Sequence, residues 1–342
     1  MMENGKIIGW DIGGANLKVV AINTQGKVIY VNQIESPIWK GLDILDASIA
    51  TLPVDLFDHV KTHAITLTGE LADIFPDRRT GVREIIKKIT LILGRCSRVY
   101  AGREGWVDSD SVEGYEADIA SANWHAAATW LADKVENGLL MDMGSTTTDI
   151  IPFIARIPDN RGYSDQERLC EDELVYTGVD RTSVTAVVQK LPLNGRWQQV
   201  ANEYFSTMAD IYCLTGDLPE NAGFTTADGQ GTTLIDCARR LARVAGADIE
   251  ENFLAPWRKL ARFVSTQQYH LIDNALSRVL SRYPEQKLPI IAAGAGRFVI
   301  KRIVERQNLT CHDFADFLQG DEMLKQAAAI CAPAASCALL QL

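Results

Sequence analysis

Twice in this chain an apolar run delivers an aspartate into a glycine turn. Residues 6–11 (KIIGWD) end at Asp11 and continue as Ile12-Gly13-Gly14; residues 138–143 (GLLMDM) carry Asp142 and continue into Gly144. An apolar segment returns at once in both places, over 17–22 and 149–153, so each reads as a β-hairpin with a carboxylate at its tip. The hairpins stand about one domain length apart. That spacing suggests a duplicated α/β chain of two similar halves, and 342 residues accommodate two such domains.

The expected division is a first domain over 1–135 and a second over 136–342, with helical insertions in the second and a C-terminal helix packing back toward the first. Further strands are expected at 28–34, 64–67, 97–101 and 288–293. Helical spacing is expected at 82–93, 118–133, 199–214, 233–245, 256–283, 297–306 and 321–342. Residues 219–231, rich in Gly, Asp, Asn and Thr, read as a loop.

Charge and cysteine usage narrow the partners. A formal net charge of −10 repels nucleic acid and anionic membranes, so neither is an expected partner. Seven cysteines without a CxxC pair fit reduced thiols in a reducing cytosol. No apolar run approaches the roughly 20 residues that span a bilayer, and the N-terminus enters a strand pattern without a signal-like segment. The expectation is a cytoplasmic protein acting on a small molecule; the pattern leaves the oligomeric state open.

The two tips carry the chemistry. Gly13 and Gly14 let backbone N–H groups approach phosphate oxygens, and Asn16 and Lys18 add a donor and a cation. In the second turn Gly144, Ser145, Thr146 and Thr147 supply N–H groups and hydroxyls, and Asp149 is placed to orient a water or anchor the turn. Asp11 and Asp142 are candidate ligands for magnesium, which keeps much of its water shell. Taken singly, each turn also reads as an ordinary capped hairpin. Their combination with Gly294 and Gly296 on a late strand-to-helix turn is the specific signal.

This ordered triple resembles the actin, sugar-kinase and Hsp70 ATPase superfamily, which implies two ribonuclease-H-like domains around a central cleft. Segments 68–73 (TGELAD), 121–124 (SANW), 141–149 (MDMGSTTTD) and 173–182 (ELVYTGVDRT) resemble, more narrowly, the hydantoinase/oxoprolinase-like family of tetrahydromethanopterin-linked C1 transfer pathway proteins. The resemblance implies a magnesium-dependent transferase of methanofuran-type biosynthesis. It would join an aminomethylfuran diphosphate to γ-glutamyltyramine through an ether and release diphosphate. The alternative is an ATP-dependent kinase or hydantoinase-like hydrolase. The late turn Ala293-Gly294-Ala295-Gly296 is less glycine-rich than in ATP-using relatives, which favours a diphosphate ester at the site without ATP. Under this resemblance Glu70 is the first candidate for the base that takes the phenol proton, and Glu104 the second; Arg181 is a candidate contact for phosphate or a substrate carboxylate.

Overall fold

A computed structural model describes residues 5–342 apart from 95, 221, 251 and 252. Strands β1 (Lys6–Gly13), β2 (Asn16–Asn23), β3 (Lys27–Glu35), β4 (Val60–Thr68), β5 (Ser97–Tyr100) and β6 (Trp106–Asp108) form one sheet in the order β3-β2-β1-β4-β5-β6. The first three run antiparallel as a meander, and β4 and β5 then run parallel to β1.

The second sheet repeats that plan. It contains β7 (Gly138–Met143), β8 (Thr148–Ile154), β9 (Ile157–Pro158), β10 (Leu174–Val175), β13 (Ile290–Ala293) and β14 (Cys311–Asp313) in the order β10-β8-β7-β13-β14, with β9 paired to β8. Strands β7 and β8 are antiparallel, while β13 is parallel to β7 and β14 to β13. Each half therefore has its hairpin at the centre of the sheet beside a parallel strand, the ribonuclease-H-like arrangement of the actin and sugar-kinase fold. Buried on both faces, β1 and β7 read as nearly continuous apolar runs, and Asp11 and Asp142 are the carboxylates those runs carry into the interior.

The halves share a core. The helix Asn123–Ala132 packs on β7 and β8, and the helix Ala332–Leu339 packs on β1, β2 and β4 and on Asn123–Ala132. Its residues Ala334, Ala335 and Ala338 join Trp124, Leu131, Leu140 and Ile151 in one hydrophobic cluster. The small strand β15 (Gln319–Gly320) extends the first sheet beside β3. No helix among the described residues is long and apolar enough to cross a membrane.

Three expected elements differ. The helix expected over 118–133 is broken into Glu116–Ile119 and Asn123–Ala132, with Ser121 in the left-handed region at φ 51°. The helix expected over 321–342 divides at Cys331 into Glu322–Ile330 and Ala332–Leu339, where Pro333 occupies the first turn of the second piece. Of 199–214, only Met208–Thr215 is helical; its start is fixed by a capping box between Thr207 and Asp210, and upstream β11 (Lys190–Leu193) and β12 (Arg196–Gln199) form a separate hairpin.

Candidate active site

The hairpin tips β1–β2 and β7–β8 face each other across a cavity of about 520 Å³. Asp11, Gly13, Gly14, Asn16 and Lys18 line it from one side, and Asp142, Gly144, Ser145, Thr146, Thr147 and Asp149 from the other. Cross-strand register places the charges: Asp11 is opposite Lys18, and Asp142 is opposite Asp149. Lys18 Nζ stands 3.6 Å from Asp11 Oδ2, while the buried Asp11 Oδ1 has no partner.

The acids crowd one another. Burial drives the Asp142 carboxyl up to about 7, and Asp149 and Asp11 push the same way against the pull of Lys18. Asp11 and Asp149 are also held above their ordinary range, in both cases mainly by burial. Burial works against the Lys18 charge, but Asp11, Cys331 and Asp142 together hold its affinity for the proton above the usual value.

Backbone contacts brace the second turn. Val179 donates to the Gly144 carbonyl at 3.0 Å, and Asp180 and Arg181 donate to the Ser145 carbonyl at 3.1 and 2.9 Å. Thr148 donates to the Thr177 carbonyl at 2.7 Å, and Gln268, from the long helix Ala255–Leu280, holds Thr177 and Gly178. The Ser145 hydroxyl is buried without a partner, an unspent donor beside the acids. Gly294 and Gly296 sit behind this wall; among these turn residues only Ala295 reaches the cavity lining. A side chain at Gly294, whose φ is 83°, would meet Asp142 Oδ1 at 2.3 Å, so glycine is what lets the late turn rest on that carboxylate.

Asp11 and Asp142 fit a hydrated magnesium ion. Among the described residues no group of three or more acids, histidines or cysteines is close enough to hold a bare ion. The unpartnered Asp11 oxygen and the mutually repelling acids nevertheless make a site that a hydrated divalent cation would relieve.

The two glutamates part company. Glu70 is 1% exposed, beneath the cavity rather than in its lining, and accepts a 2.6 Å hydrogen bond from Ser121, which does line it. Glu104 does not reach the cavity: the short turn Gly102–Glu104 directs it outward, where its side chain is 48% exposed beside Arg103. Arg181 lies at the mouth, its guanidinium 5.3 Å from the centre of the Trp39 ring on the opposite half.

Sequence reasoning missed several residues of the cavity. Arg168, fully buried on the short helix Asp165–Cys170, pairs with Asp149 and lies over the Trp124 ring at 4.2 Å. Trp39, Leu71 and Tyr176 line the mouth while remaining more than 40% exposed. Leu71 and Tyr176 fall inside segments 68–73 and 173–182 without being singled out there, and Trp39 lies outside all of the segments that carry the family resemblance.

The hydantoinase/oxoprolinase family model matches residues 61–319. The chain belongs to this family. Over 309 residues it is 30% identical to a Methanocaldococcus jannaschii protein named (4-{4-[2-(gamma-L-glutamylamino)ethyl]phenoxymethyl}furan-2-yl)methanamine synthase, spanning 89% of this chain and 90% of that protein. A Methanococcus vannielii protein of the same name is 32% identical over 118 residues, which cover 34% of this chain and 52% of its own length. Among solved structures, nucleotide-free acetone carboxylase superposes with a TM-score of 0.56 at 9% identity, covering 86% of this chain and 66% of that one. At that identity the likeness is one of fold.

Proposed function

We propose that this family member makes the aryl ether its relatives are named for, joining the phenol oxygen of γ-glutamyltyramine to the furanylmethyl carbon of an aminomethylfuran diphosphate and releasing diphosphate. The observation that carries the reading is the pairing of two acid-tipped hairpins and Lys18 around one cavity, in a chain aligned with 90% of a synthase of that name.

The reaction asks little of the protein at carbon, because a furanylmethyl centre tolerates positive charge. The demanding part is the leaving group. Lys18, the Gly13-Gly14 turn and residues Ser145–Thr147 line the same cavity, and fixed donors there would stabilise charge as it develops on a leaving diphosphate. Asp11 and Asp142 would hold hydrated magnesium, which when bound neutralises the departing diphosphate. The cavity mouth offers Trp39 and Tyr176 to an aromatic acceptor and Arg181 to its carboxylate. The phenol proton must go to a base, for which Glu70, beneath the wall, is the candidate.

The test is turnover by purified protein with both substrates, following ether by mass spectrometry and diphosphate by coupled assay. Ether and diphosphate in equal amounts, without ATP and abolished by a chelator, is the expected result. Product only when ATP is supplied would overturn the reading in favour of a nucleotide-dependent kinase or hydrolase.

A further inference from the structure

Ser121 is a residue in an expensive place. It interrupts what its flanking sequence would make a single helix, adopts φ 51° without being glycine, and is 9% exposed on the cavity wall. Such backbone costs on the order of 1 kcal/mol and persists where the surroundings enforce it. Here a bridge from Leu67, at the end of β4, to Ala120 fixes the preceding residue. From this position Ser121 Oγ donates to Glu70 Oε1 at 2.6 Å.

Glu70 is as firmly set. A side chain at Gly81 would strike the Glu70 carbonyl oxygen at 2.4 Å, so glycine in the helix Arg78–Leu93 lets that helix press against the Glu70 backbone. The second carboxylate oxygen, Oε2, is buried without a partner. Glu70 is therefore outside the cavity lining, and Ser121, which does line the cavity, is hydrogen-bonded to it.

Resting on the reaction proposed above, we infer that Ser121 is the side chain that meets the acceptor's phenolic hydroxyl and relays its proton to Glu70. As the phenol oxygen bonds to the furanylmethyl carbon, the carbon–oxygen bond to diphosphate breaks and its electron pair leaves with the diphosphate. The phenol proton moves to Ser121 Oγ while the serine proton moves to Glu70 Oε1. Glu70 is left neutral and returns the proton to water after product departs. Burial suits Glu70 to this role by raising its carboxyl to about 7, with Asp165 adding to the rise and Arg78 opposing it. A base of that strength is about half ionised at neutral pH and, when ionised, takes a proton readily. Arg78 and Asp165 are themselves paired at 2.5 Å, so their effects on Glu70 largely cancel.

Ser121→Gly is the informative variant, because glycine accepts the left-handed backbone and removes only the hydroxyl. With wild-type enzyme making ether, Ser121→Gly and Glu70→Gln should each lower kcat about 100-fold, with KM for the diphosphate ester within about twofold. The double variant should be no slower than either single one, since the two act in series. A ring-fluorinated acceptor, whose phenol is more acidic, should recover much of the rate in Ser121→Gly; a merely structural role would not respond to phenol acidity. Equal kcat for wild type and Ser121→Gly overturns the relay alone. No ether from wild type overturns the reaction and this role with it.

Discussion

Lys18 stands 3.6 Å from Asp11 across the first hairpin, and still the Asp11 carboxyl is held above its ordinary range because burial outweighs the ion pair. Lys18 also feels Asp142 from the second hairpin, so one ammonium serves acids from both halves. Under the proposed reaction Lys18 is the cavity cation that would receive diphosphate. Lys18→Met should weaken diphosphate binding by about 10- to 100-fold, the range for losing a charge-assisted hydrogen bond of about 1.5–3 kcal/mol. Titration calorimetry at fixed magnesium measures it; unchanged affinity would remove Lys18 from the anion site.

The raised acids make a signed prediction about pH. Asp142 moves from an ordinary 3.8, and Glu70 from 4.5, to about 7 in the folded chain, so folding favours their protonated forms. Their stabilising contribution is complete below about pH 4 and disappears as pH rises to about 7, each tenfold change in proton affinity being worth about 1.4 kcal/mol. Carboxyls held low, such as Asp217, Asp228 and Asp313, act in the opposite sense but only below about pH 4. The ligand-free Tm should therefore fall between pH 5 and 7. Magnesium should raise Tm more at pH 8 than at pH 5, because its ligands must be ionised. Asp142→Asn should flatten the pH dependence and abolish the magnesium response; a magnesium response that survives would dismiss Asp142 as a ligand.

How far the sequence could be read follows from where each signal lies. Asp11 and Asp142 were legible because a buried strand must be apolar, so a carboxylate beside a glycine turn stands out locally. The repeated sheet order follows from the same two hairpins. Ser121 was hidden, because the alanine-rich periodicity around it is that of an unbroken helix, and the break is set by distant contacts with Leu67 and Glu70. Arg168 was hidden for a related reason: on a short polar helix an arginine reads as solvated, and only the fold brings it over Trp124. Glu104 shows the converse, a plausible carboxylate after a strand that a tight turn points outward.

Trp39 and Arg181 meet across the mouth from opposite halves, so both would be displaced or engaged by anything entering. Trp39→Ala should raise KM for γ-glutamyltyramine by about 5- to 10-fold, the loss of an aromatic contact of about 1 kcal/mol, while KM for the diphosphate ester stays within twofold. Arg181→Ala should raise the same KM for the intact acceptor but leave that for tyramine, which has no glutamyl carboxylate, unchanged. An equal effect with both acceptors would assign Arg181 to the diphosphate instead.

Asp149 and Arg168 separate stability from chemistry. The Arg168 side chain is 2% exposed and that of Asp149 is 12% exposed, so each charge relies mainly on the other. Removing one partner of such a pair costs about 3–5 kcal/mol, because the other remains buried and unpaired. Arg168→Met should show this loss in full, since the Asp149 carboxylate is then left among Asp142 and Asp165 without its guanidinium and Trp124 loses its stacked cation. Adding Asp149→Asn to Arg168→Met removes the orphaned charge, and denaturant unfolding should show most of the lost stability restored. Activity decides what Asp149 is for. If the carboxylate only anchors the second turn, the double variant recovers turnover along with stability. If it orients a water or a substrate group in the cavity, stability returns and turnover does not.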